Sequence, residues 1–67
     1  MYEYRVVSTD IAGRATVESQ HWILPRAIEA AKKAQRQHWD RGNQILVTVE
    51  IRNGNGVWQE AGRAEDY

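Results

Sequence analysis

The chain opens on alternation. In "YEYRVV", Tyr2, Tyr4 and Val6 fall on one side and Glu3, Arg5 and Val7 on the other, the period-two pattern of a half-buried strand. "TDIAGR" follows, with Asp10 and Gly13 as turn formers. "RATVESQHW" reads as a second strand with Ala15 and Val17 on its core face, so the two strands make a hairpin with a loop of several residues. The period then changes. In "ILPRAIEAAKKAQRQHWDRG", Leu24, Ala27, Ile28, Ala31, Ala34, Gln35 and His38 recur on one face of a helix, with Trp39 at its edge. Pro25 suits the first helical position after a Leu24 N-cap, where its missing N–H costs nothing. Ile23 and Ile28 are placed to staple that end, and Gly42 is the left-handed stop.

Alternation returns in "QILVTVEIRN", where Ile45, Val47, Val49 and Ile51 face inward and Leu46, Thr48, Glu50 and Arg52 face away. "NGNG" at 53–56 is a hairpin turn, and "VWQEAGR" is the returning strand. The register of that turn decides where Trp58 points. A two-residue Asn-Gly turn places it in the core opposite Val49 or Ile51, whereas a three-residue loop sends it to the outer face. The two-residue form is expected. The fold class is therefore α+β, in the order β-β-α-β-β, an antiparallel sheet with one helix packed on one face. The expected outer face carries Glu3, Arg5, Thr16, Glu18, Thr48, Glu50 and Arg52, with Val7 and Leu46 among them.

With 67 residues the chain is a single small domain, and so short a chain has a thin core. It has no cysteine to staple that core. No apolar run approaches the roughly 20 residues of a membrane span, and the first ten residues do not resemble a signal peptide. A cytoplasmic setting without a membrane partner is expected. Charge modifies the picture by its placement. The total is zero, which argues against bulk nucleic-acid binding. Between residues 26 and 41, however, five basic side chains (Arg26, Lys32, Lys33, Arg36, Arg41) face only Glu29 and Asp40. From about residue 62 a short tail is acidic.

Gln-His-Trp occurs twice, at 20–22 and 37–39, and uses both histidines. On a strand the first copy splits its side chains between two faces, while on a helix the second points Gln37 to solvent and His38 inward. The flanks differ as well, so the repeat is coincidence. Two histidines with only Glu18 or Asp40 nearby in sequence do not make a metal site. No glycine-rich phosphate loop precedes a helix, and no serine sits in a nucleophile elbow; a trio of Ser19, His38 and Asp40 lacks any diagnostic spacing. No metal, cofactor or enzymatic activity is expected.

"AIEAAKKAQRQ" and "VTVEIRNGNGVW", an alanine- and lysine-rich helix followed by a hairpin, resemble the layout of small phage-encoded proteins, including anti-CRISPR inhibitors. The resemblance implies a compact non-enzymatic inhibitor that binds a larger protein complex. From the residues themselves the first reading is a protein-interaction module using Lys32, Lys33, Arg36 and Arg41, with Trp39 as anchor. The alternative is a nucleic-acid-binding domain using Arg5, Arg26, Lys33, Arg36 and Arg52, across the helix or the open sheet. A homodimer through an exposed strand edge is a third reading.

Overall fold

The computed structural model describes residues 3–67, and Tyr2, expected on the core face, lies outside them. Strands β1 (Tyr4–Thr9) and β2 (Ala15–His21), helix α1 (Leu24–Asp40), and strands β3 (Leu46–Arg52) and β4 (Trp58–Arg63) follow in the expected order. A short 3-10 turn, Ala64–Asp66, ends the described chain. The four strands form one antiparallel sheet in the order β2-β1-β3-β4, and α1 covers one face of it.

Both hairpins close in the same way. In the first, the Asp10 carboxylate accepts the Arg14 N–H and the Asp10 carbonyl accepts that of Gly13, which sits at φ 85°. In the second, Oδ1 of Asn53 accepts the N–H groups of Asn55 and Val57, and the Asn53 carbonyl accepts that of Gly56, at φ 79°. A side chain that binds backbone two to four residues on, followed by a left-handed glycine, favours the three-residue loop over the two-residue one. That choice overturns the expected position of Trp58. It pairs with Arg52 and lies on the outer face, half-buried.

The core is built from small side chains. Val6, Val47 and Val49 are its largest fully buried members, and Ala27, Ala31 and Ala64 complete it, with Tyr4, Leu24 and Ile45 packed around. Alanines at positions 27 and 31 let α1 lie close to the sheet. The helix starts one residue earlier than expected: Ile23 is the N-cap, without a side-chain hydrogen bond, and is 54% exposed, so it no longer holds the position before the cap that the staple requires. At the other end Gly42 N–H bonds to Trp39 and Asn43 N–H to His38, a Schellman motif with Gly42 at φ 74°.

The second correction concerns β2. Val17 pairs with Val7 on the outer face, and Ala15 with Thr9, whereas Thr16 and Ser19 pair with Ser8 and Val6 on the helix side. A bulge between Val6 and Val7 leaves Glu18 as the extra residue. Its carboxylate lies on the helix side, within 2.7 Å of the Ser8 hydroxyl and 3.2 Å of His38 Nε2. The expected outer face thus loses Thr16 and Glu18 and gains Ala15 and Val17. Among the described residues, no helix is long and apolar enough to cross a membrane.

Candidate functional site

The exposed face of α1 follows from its periodicity. With Ala27, Ala31 and Gln35 buried, Glu29, Lys32, Lys33 and Arg36 stand on the far side of the helix. Arg26, Lys32, Lys33 and Arg36 make no ion pair and no side-chain hydrogen bond with any described residue. Four cations against the one acid Glu29 leave this face with a net positive field.

Two clefts flank this ridge. The larger, of about 380 Å³, runs between α1 and the C-terminal turn and is lined by Lys32, Gln35, Arg36, Trp39, Ala64, Glu65 and Tyr67. Trp39 is 59% exposed and Tyr67 40%, so two aromatic rings border an open space beside two cations. The buried Gln35 amide lies at the helix side of this cleft. It donates to the Ile45 carbonyl and accepts from the Val47 N–H, at 2.9 and 3.2 Å. Ala64, 3% exposed, belongs to the core, and the acids Glu65 and Asp66 follow it. Asp66 accepts the Arg63 N–H and closes the turn, and Arg63 and Glu65 pair loosely at 3.7 Å. On the other flank His21, Arg26, Glu29, Ala30 and Lys33 line a space of about 250 Å³.

The residues expected to bind a partner therefore divide. Lys32, Arg36 and Trp39 come together at the larger cleft. Lys33 sits on the ridge between the two clefts. Arg41, just past the helix end, leans the other way, where its charge helps to lower the Glu18 pKa. The nucleic-acid set divides further. Arg26, Lys33 and Arg36 lie on α1, while Arg5 and Arg52 belong to the opposite, open face of the sheet. There the Arg5 Nε donates to Glu50 at 2.6 Å, and its guanidinium stacks 4.4 Å from the Trp58 ring centroid. Arg52 approaches the same ring at 5.6 Å.

The histidines do not share chemistry. His21 Nε2 lies 2.7 Å from the Ser19 hydroxyl, while His38 Nε2 bonds Glu18, so Ser19, His38 and Asp40 form no relay. His38 Nδ1 is buried without a partner among the described residues. The Glu18 carboxyl is held below its usual range, first by the Ser8 hydroxyl and then by the His38 hydrogen bond. Burial opposes that shift, and the charges of His38 and Arg41 add to it. Among the described residues no group of three or more His, Asp or Glu is placed to hold a metal ion.

The sequence reading missed the cleft's second wall. Ala64 and Tyr67 sit three residues apart in a segment read by its charges alone; that spacing was the available signal. Comparison with known proteins adds no relative: no family model, no curated protein and no solved structure matches the chain.

Proposed function

We propose that the chain is a non-enzymatic protein-interaction module that docks an acidic partner against the exposed face of α1. The supporting observation is the set of unpaired cations Arg26, Lys32, Lys33 and Arg36 along one helix, with the exposed Trp39 beside Lys32 and Arg36. An exposed tryptophan beside an arginine is the composition of an interface anchor. Two acids favour a protein over a nucleic acid. Glu29 stands within the ridge and Glu65 in the cleft wall. A phosphate backbone repeats its charge and would meet both, whereas a protein surface can place a polar or basic group opposite each. An inhibitor encoded by a phage or another mobile element is the narrower form of the proposal, with a subunit of a larger complex as the acidic partner.

The test is capture of partners by tagged protein, with and without nuclease, using the native chain and a variant with alanine at Arg26, Lys32, Lys33 and Arg36. A defined protein retained after nuclease by the native chain and lost by the variant is the expected result. Retention by the variant would place the site elsewhere. Recovery that vanishes with nuclease, and binding that weakens steeply with salt, would establish the nucleic-acid reading instead.

A further inference from the structure

We infer that the cleft between α1 and the C-terminal turn is an anchor pocket for one bulky apolar side chain of an acidic peptide segment, and that Gly62 fixes its width by seating Tyr67. The inference rests on the interaction reading above and specifies what the partner inserts.

The cleft's lining selects an apolar occupant. Its volume of about 380 Å³ lies near the lower end for ligand sites, with room for one bulky side chain and the chain on either side of it. The one polar group from its buried side, the Gln35 amide, already donates to Ile45 and accepts from Val47, and Gln35 is 5% exposed, so it offers little to what enters. Trp39, Ala64 and Tyr67 supply apolar surface. Lys32 and Arg36, four residues apart on the helix, stand on one rim and suit carboxylates on either side of the inserted residue. Glu65, the acid of the opposite rim, has Arg63 3.7 Å away to offset it.

Tyr67 holds its place because β4 carries no side chain beneath it. A Cβ built on Gly62 would come 2.7 Å from the Tyr67 hydroxyl oxygen and 3.1 Å from Cε2 and Cζ. The Gly62 backbone is not in the left-handed region, so alanine suits the strand itself. Gly62→Ala therefore moves the far end of Tyr67, and with it the cleft wall, without touching a cation. Gly62 is a positioning residue.

The probe is a blocked peptide with a single leucine flanked by glutamates, titrated into isotopically labelled protein while the Trp39 indole N–H is followed. Two control peptides replace the leucine by serine or the glutamates by glutamines. The expected result is a saturable shift with the parent peptide and, for each control, a loss on the order of tenfold. Trp39→Ala, Tyr67→Ala and Gly62→Ala, each read at backbone amides near Ala64, should weaken the parent peptide on the same order while thermal melting stays cooperative. Binding that needs Lys32 and Arg36 but ignores the leucine, Trp39 and Gly62 would overturn the anchor pocket and leave the basic face standing. Absence of any shift with the parent peptide would overturn the pocket as well. Partner capture that survives removal of the cations is the separate outcome that sinks the wider reading.

Discussion

The two faces of this small sheet treat charge in opposite ways. The open face carries Glu3, Arg5, Glu50, Arg52, Glu60 and Arg63, three of each sign, and pairs charges within itself at its centre. Arg5 bonds Glu50 and covers Trp58. On the helix face Arg26, Lys32, Lys33 and Arg36 have no such partners. Identical residue types thus serve cohesion on one side and remain available to another molecule on the other. An aromatic ring follows the same division: Trp58 is half-buried under a guanidinium, while Trp39 is exposed at the mouth of a cleft.

The contrast breaks or sharpens under mutation. The largest effect is expected from Lys32→Glu combined with Arg36→Glu, which sets like charge against an acidic partner; affinity should fall about a hundredfold or more. Trp58→Ala on the open face should leave that affinity within about twofold, as for contacts outside an interface. Equal losses from both, measured by calorimetry, would erase the distinction between the faces. Next in size is Gln35→Ala, which leaves the Ile45 carbonyl and Val47 N–H without their partner. Urea unfolding should show a loss of about 2 kcal/mol, and an unchanged midpoint would mean other groups or water take over.

Arg5→Ala comes third. It removes a charge-assisted hydrogen bond and a stacked cation, both half-buried, and should cost about 1 kcal/mol. A double-mutant cycle with Trp58→Ala isolates the stacking; zero coupling would leave Glu50 alone as the group that holds Arg5. The smallest effect is acid sensitivity through Glu18. Its pKa is lower folded than unfolded, so its stabilising contribution is complete above the ordinary value of 4.5 and is lost as pH falls through the folded value. Melting temperatures of the native chain and Glu18→Gln should therefore converge as pH is lowered below 4.5. A constant gap across that range would remove Glu18 as the cause.

Sequence periodicity reached α1 and β3 well, because each offers a single apolar face. Helical spacing alone set Lys32, Arg36 and Trp39 on accessible positions. It failed on β2 because two apolar surfaces were on offer. Val7 and Leu46 already gave the outer face an apolar end, and Val17 joined them there. Ser8, Glu18 and His38 then found one another on the helix side through a bulge that no pattern of hydrophobic residues encodes. Trp58 was misplaced for a different reason: one backbone-binding side chain, Asn53, lengthened a loop by a residue and turned the strand over. The cleft escaped notice because half of it comes from a segment whose charges outnumber its apolar residues, although Ala64 and Tyr67 decide its shape.

Gln35 has a consequence for how the chain ends. Strand β4 stops at Arg63, opposite Thr48, one rung short of Val47. The glutamine amide supplies that rung by presenting a carbonyl to the Val47 N–H and an N–H to the Ile45 carbonyl, as a neighbouring strand would. A side chain impersonating backbone releases the last residues from ladder duty. They turn back over the sheet and stand as a wall beside the helix. A ladder completed by backbone would have spent the same residues on pairing and left the helix without a cleft.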